Sequence, residues 1–261
     1  MSLGYATEDG VAVITLRRPH VLNAFDDDLG RRLLEAVRTA SEDVGVRCIV
    51  ITGAGRAFCS GEDLGALSAA YEAGGAPDLG GILVERYNPL VSVLCAAPKP
   101  VLAALNGVAA GAGASLALAC DYRVASDAAR IVLGFARVGL VPDSGALWFL
   151  ARIVGSARAW ELATLDRALE ASEALRLGVV NEVVAASDFE AAWRARAAAL
   201  ARGPTRAFAL TKRLVHGAPE RSLDEQLELE VEAQREASRS RDHRAGVRAF
   251  LEKSRPRFEG R

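Results

Sequence analysis

The stretch "NGVAAGAGASLALACD", Asn106 to Asp121, sets three glycines and a run of alanines where an apolar strand gives way to an apolar helix. It contains no His, Lys or Glu. A strand-to-helix junction exposes unpaired N–H groups and the positive end of the helix dipole. Gly111 and Gly113 let another group come close to that backbone. The segment can therefore form an anion site from main chain alone. A tight helix–sheet contact, with alanines chosen for packing, is the alternative. Dinucleotide and nucleotide loops are excluded. Neither "GVAAGAG" nor "GAGRAF" reaches the third glycine of G-x-G-x-x-G, and no G-x-x-x-x-G-K-[ST] run occurs.

A second segment has the same character. "RAFCSGEDL", Arg56 to Leu64, also follows a buried strand and carries a bare glycine, Gly61. Two such loops after neighbouring parallel strands open at one edge of the sheet, where ligand sites of α/β proteins lie. Their N–H groups can converge on one oxygen. One donor of such an oxyanion hole is worth roughly 3–4 kcal/mol of transition-state stabilisation.

Around these loops the chain alternates strands with helices, the pattern of parallel sheet with helical crossovers. "GVAVITLRRP" alternates as a strand after the turn "EDG". Asp26 or Asp27 caps a helix with Leu29, Leu33, Leu34 and Val37 on its apolar positions. "VRCIVITG", "KPVLAAL" and "YRVAS" read as strands, residues 82–96 as a helix, and helices follow "VPDSG" to Val154 and again from Ser156. "AYEAGGAPDLGG", Ala70 to Gly81, is expected to be a mobile surface loop. From Gly203 the strands stop. "SLDEQLELEVEAQREASRSRD" carries Leu223, Leu227 and Val231 at helical spacing, so one apolar face must dock on the core or on another subunit. The division expected is a core at 1–202 and a helical oligomerisation region at 203–261.

The 261 residues are long enough to bury a large core. The formal net charge is -1 with acids and bases interspersed, which argues against a nucleic-acid footprint. Glycines interrupt the longest apolar run too often for a membrane span. "MSLGYATEDG" lacks the basic and apolar regions of a signal peptide, and Cys48, Cys59, Cys95 and Cys120 are widely spaced without a C-x-x-C pair. A reduced, cytoplasmic protein with neither disulfide nor zinc is expected.

"RAFCSGEDL", "PKPVLAALNGVAAGAGASLALACDYRVAS" and "VGLVPDSGALWFLARIVG" together resemble the crotonase, or enoyl-CoA hydratase/isomerase, superfamily. The resemblance extends through "EALRLGVVNEVV" to "AFLEKSRPRFEG". Within the superfamily, "NGVAAGAGA" followed by "GLVPDSG" most resembles the bacterial ring-1,2-epoxyphenylacetyl-CoA isomerases. The fold this implies is an α/β spiral of ββα units with a helical C-terminal trimerisation region, assembled as a homotrimer or a dimer of trimers.

The resemblance also implies site residues. Family members hold the enolate of an acyl-CoA thioester with two backbone N–H groups, which match Glu62 and Ala112. Hydratases add water with two glutamates, and the matching positions here are Ser115 and Phe135, neither of which is a carboxylate. Asp143 of "VPDSG" stands where isomerases carry an aspartate, which implies a general base; by itself the run also reads as a turn and helix cap. Ser115 reads as a helix residue bonding its own backbone, or as a polar aid to substrate. A serine-nucleophile role is opposed by His20, His216 and His243, which lie away from both glycine loops and lack an evident aspartate partner. Coenzyme A is expected to be gripped at Leu22, Ala24 and Ser60, with Asp63 structural. Phe250 and Lys253 match positions that approach the adenine from a neighbouring subunit. Arg18 is either a cation for the CoA phosphates or a solvated surface arginine. Ala146 stands where many relatives carry a second glycine.

These features imply an acyl-CoA thioester isomerase that needs no metal or redox cofactor, with coenzyme A entering as part of the substrate. Enoyl-CoA hydration is the alternative. A non-catalytic acyl-CoA-binding or RNA-associated relative is a further one, and nucleic-acid and membrane partners are not expected.

Overall fold

The computed structural model describes residues 1–72 and 74–261. Among the described residues, ten strands are β1 (Leu3–Glu8), β2 (Val11–Leu16), β3 (Cys48–Gly53), β4 (Ala57–Cys59), β5 (Val101–Leu105), β6 (Val108–Ala110), β7 (Tyr122–Ser126), β8 (Arg130–Val132), β9 (Leu169–Glu170) and β10 (Glu182–Val184). They form a six-stranded sheet in the order β1-β2-β3-β5-β7-β10 and a four-stranded sheet in the order β4-β6-β8-β9. From β3 to β8 the chain steps between the two sheets at every strand. That step is the ββα repeat of a crotonase-like spiral.

The strands that read as unbroken apolar runs are covered on both faces. In β3, Ile49 and Ile51 join one core cluster. Cys48 and Val50 join a second. In β5, Val101, Ala103 and Leu105 face the first cluster, while Leu102 and Ala104 face the second. The period-two alternation of strand side chains thus serves two cores at once.

The helices are α1 (Asp27–Glu42), α2 (Ser68–Glu72), α3 (Leu79–Ile82), α4 (Asn88–Ala96), α5 (Ala112–Leu118), α6 (Ala146–Val154), α7 (Ser156–Thr164), α8 (Ala171–Arg176), α9 (Phe189–Ala201), α10 (Thr205–Gly217), α11 (Leu223–Ser238) and α12 (Arg241–Leu251). Helix α1 starts where the sequence places its cap: the Asp26 carboxylate accepts the Leu29 amide at 2.8 Å. It buries Leu29, Leu33, Ala36, Val37 and Ala40. Helix α9 lays Phe189, Trp193, Ala197 and Ala201 into the second cluster.

The helix expected over 82–96 is present, running without a break from α3 through a π-helical turn Leu83–Tyr87 into α4. Two elements differ from the sequence expectation. The stretch 70–81 holds the end of α2 and the start of α3; its residue 73 lies outside the described residues. The final segment after Leu251 is not helical. It folds back on its own chain, where Arg47 donates to the Phe258 carbonyl at 2.8 Å and Asp242 accepts the Glu259 and Gly260 amides at 2.6 and 2.9 Å. Among the described residues, no helix is long and apolar enough to cross a membrane.

Candidate active site

Strands β4 and β6 pair in parallel, with Ala57 opposite Val108 and Cys59 opposite Ala109. The loops that follow them leave the sheet at the same edge. A Cβ on Gly113 would collide with the Cys59 carbonyl, so only glycine allows α5 to sit this close to β4.

Each loop presents one free amide. Phe25 pairs with the first loop: its amide donates to the Gly61 carbonyl at 2.7 Å, and the Asp63 amide donates to the Phe25 carbonyl at 2.8 Å. The pairing groups of residues 61 and 63 face Phe25, so the intervening Glu62 amide faces the opposite side. In the second loop, the Gly111 amide donates to the Val132 carbonyl at 3.1 Å. Ala112 is the first residue of α5, and its amide is one of the helix's unpaired donors. Neither the Glu62 nor the Ala112 amide has an acceptor among the described residues.

Both residues line one cavity of about 160 Å³, together with Ser60 and Asp143. Tyr87 also lines it, and the rest of its wall is largely apolar, with Leu79, Ile82, Leu83, Leu133, Phe135 and Leu140. Burial pushes the Asp143 carboxyl above the usual carboxylate range, and a hydrogen bond from Ser144 works against that shift. The Ser144 hydroxyl donates to Asp143 Oδ1 at 2.8 Å. Ser144 and Gly145 have φ of 53° and 77°, so a left-handed turn carries Asp143 at its head.

Larger hollows flank α10, but the free amides and Asp143 are not among their lining residues. The small cavity is the one where the chemistry converges.

The Glu62 side chain is part of this site, which the sequence did not reveal. Its two carboxylate oxygens each lie 2.9 Å from Arg86 Nη1, and Oε2 accepts the Tyr87 hydroxyl. Burial raises the Glu62 acid, the Tyr87 bond lowers it, and the Asp143 charge raises it further. Arg86 and Tyr87 belong to the π-helical turn. Such turns recur at functional sites.

Ser115 is fully buried. Its hydroxyl reaches the Gly111 and Asp143 carbonyls at 3.2 and 3.1 Å. It bonds its own helix, as read, and also ties α5 to the Asp143 turn. Phe135 is part of the cavity wall.

Leu22 and Ala24 lie beside the first loop without lining the cavity. The Leu22 carbonyl accepts the Ser60 amide at 3.0 Å, and the Ala24 carbonyl accepts Arg18 Nη1 at 2.7 Å. Between them Asn23 is fully buried at φ 59°. Its Nδ2 donates to the Ala54 and Ala57 carbonyls at 2.9 and 2.8 Å, and its Oδ1 accepts the Arg18 amide.

Arg18 departs from both of its sequence readings. It is neither solvated nor a free cation, because Asp26 at 3.1 Å and Asp63 at 3.0 Å hold its guanidinium. Asp63 is structural, as expected. Phe250, 82% exposed, lies at the end of α12 and Lys253 just beyond it, and neither lines this chain's cavity. Ala146 is buried outside the cavity lining, with its amide on the Asp143 carbonyl at 2.9 Å.

One histidine gains an unexpected acidic neighbour: His216 Nε2 lies 3.8 Å from Asp121 Oδ1. Asp121 also pairs with Lys212 at 2.9 Å, and no histidine lines the cavity.

This chain is similar to known proteins along nearly its whole length. The family model for enoyl-CoA hydratase/isomerase matches residues 6–261. A probable enoyl-CoA hydratase of Rhodobacter capsulatus is 47% identical over 260 residues, covering 100% of this chain and 98% of the relative. The 1,2-epoxyphenylacetyl-CoA isomerase of Escherichia coli is 44% identical over 254 residues, covering 97% of each. The crystal structure of a putative enoyl-CoA hydratase/isomerase from Mycobacterium abscessus superposes with a TM-score of 0.94 at 37% identity, covering 99% of this chain and 100% of that one. With the family model spanning nearly its full length and relatives this similar, the chain belongs to the enoyl-CoA hydratase/isomerase family.

Proposed function

We propose that this protein isomerises an acyl-CoA thioester by a proton shift, with the Glu62 and Ala112 amides as the oxyanion hole and Asp143 as the general base. The observation that carries it is the meeting of two unpaired amides and one half-buried carboxylate in a single cavity. Asp143 removes a proton next to the thioester, and the electron pair passes to the thioester oxygen. The amides hold the oxygen better as its charge grows, so they favour the transition state over the ground state. Asp143 then returns its proton elsewhere on the acyl group. A positioned base of this kind contributes about 10²–10⁴-fold.

The apolar wall favours a neutral acyl group. An apolar cavity of roughly 150 Å³ accommodates a benzene ring, and this one measures about 160 Å³. A ring 1,2-epoxide of phenylacetyl-CoA, the type of substrate in the name of the Escherichia coli relative, fits that description, as does a short enoyl chain. Coenzyme A enters with the substrate, held at Leu22, Ala24 and Ser60 and, from a second copy, at Phe250 and Lys253. The chemistry needs no metal or redox group. A cytoplasmic homotrimer or dimer of trimers completes the proposal, with the exposed Leu223, Leu227 and Val231 of α11 turned toward another copy.

Hydration is the second reading, favoured by the presence of two carboxylates, Glu62 and Asp143, in one cavity and by the name of the Rhodobacter capsulatus relative. Against it, Arg86 and Tyr87 already occupy the Glu62 carboxylate. A panel of acyl-CoA thioesters followed by mass spectrometry in ordinary and deuterated water separates the readings. Isomerisation rearranges the product at constant formula, and hydration adds one water. Thioester binding without any turnover would refute both.

A further inference from the structure

Glu62 does two things in one residue: its amide faces the cavity and its carboxylate is held by Arg86 and Tyr87. A buried carboxylate is costly beside a second acid unless it is paired. Here the pairing is elaborate. The Arg86 side chain is 10% exposed and the Glu62 side chain 18%. The stem of Arg86 crosses α1 at Gly30, where any Cβ would run into its Cγ and Cδ. A glycine inside a helix costs about 1 kcal/mol relative to alanine; at Gly30 it leaves room for the Arg86 stem to cross α1. Beyond Glu62, Arg86 also reaches Asp27.

Tyr87 closes the arrangement from the other side. Its ring meets Phe25 edge-on, with centroids 5.4 Å apart and planes at 82°. Phe25 is the same residue whose backbone grips Gly61 and Asp63. One residue therefore braces the Glu62 main chain directly and supports the tyrosine that binds the Glu62 side chain. The π-helical turn presents both anchors, Arg86 and Tyr87, from adjacent positions.

We propose that Arg86 and Tyr87 are positioning residues of the oxyanion hole, which act through the Glu62 side chain to fix the direction of the Glu62 amide. The proposal rests on the cavity being the thioester site. Its physical basis is that a buried ion pair adds little net stability over well-packed apolar residues. The value of the pair lies in geometry: a carboxylate held by two donors, Arg86 Nη1 and the Tyr87 hydroxyl, restrains the turning of the residue's peptide plane.

The test is exchange of the α-protons of saturated acyl-CoA probes, butyryl-CoA and phenylacetyl-CoA, with deuterated water at saturating probe. Exchange needs only the base and the oxyanion hole, whichever net reaction the enzyme performs. Tyr87→Phe removes one hydroxyl and is expected to lower kcat about 10-fold, part of the 10²–10³ associated with losing a donor. The double variant Glu62→Leu/Arg86→Leu replaces the pair by apolar groups; it is expected to melt within a few degrees of wild type and to lose about 100-fold in kcat. In both variants KM is expected to stay within about two-fold, because the interaction concerned forms in the transition state.

Wild-type rates in both variants would overturn the proposal while leaving the proposed function standing. So would a loss confined to KM, which would make Arg86 and Tyr87 substrate-binding groups. Absence of exchange in the wild-type enzyme with both probes would overturn the oxyanion-hole reading and this inference with it.

Discussion

A Cβ built on Gly61 would stand 3.3 Å from the amide nitrogen of Ala112 and 3.0 Å from the Ala110 carbonyl oxygen. The two loops touch through backbone alone, at a residue whose φ is 96°. Gly61→Ala must therefore strain the turn and push the loops apart. A side chain in such a conformation costs about 1–3 kcal/mol. Thermal melts should show a folded but weakened protein, and displacement of a donor should lower kcat at least about 100-fold.

Asp143→Asn separates catalysis from stability. Burial raises the folded-state pKa of Asp143 above its unfolded value. The sign follows: the carboxyl favours folding while protonated at low pH, and that contribution is lost as pH rises through the raised pKa. Asparagine never ionises and can still accept from Ser144. The variant should be inactive, at least as stable as wild type at neutral pH, and without this advantage in acid. Paired melts across the acid range check this, and the acidic limb of the wild-type kcat profile should lie above the ordinary carboxylate range. Equal loss of stability at both pH values would contradict the assignment.

Ser115→Ala tests whether that hydroxyl is chemical or structural. It links the carbonyls of Gly111 and Asp143 and points at no histidine. Its loss should cost about 1 kcal/mol of stability. Activity should remain within ten-fold of wild type, whereas a nucleophile would lose nearly all of it.

Asn23→Ala removes donors to two carbonyls and an acceptor for a third group, at a residue with no exposed surface. Bare buried groups cost roughly 1–3 kcal/mol each. Asparagine also tolerates the left-handed backbone found there better than alanine does. The loop that pairs with residues 61–63 should loosen, so denaturant melts should shift to a lower midpoint and CoA affinity should fall with them.

The legible parts of the sequence were those whose signal is local. The runs at 48–53 and 101–105 announced themselves because both faces of each strand are buried. The glycines at 61, 111 and 113 marked loops that could bind an anion or simply pack closely, and Asp143 was singled out by the family resemblance, since its run alone reads as a turn and cap. Strands β4, β6 and β8 have three residues each, too short to display a period of their own. The N-terminal strand β1 is an edge with mostly exposed side chains, so it lacks an apolar pattern. The Glu62–Arg86 pair spans 24 positions and depends on a π-helical turn, and no spacing rule connects the two. Arg18 was misjudged for a related reason: its partners Asp26 and Asp63 become neighbours only when the first loop pairs with residue 25.

Because both proposed donors are peptide nitrogens, no single side-chain deletion can erase them. The apolar residues around them, such as Leu79 and Leu140, belong to the cavity wall and supply neither of the two donors. A scaffold of this kind can drift between acyl groups by exchanging wall residues while its chemistry stays encoded in the path of the main chain.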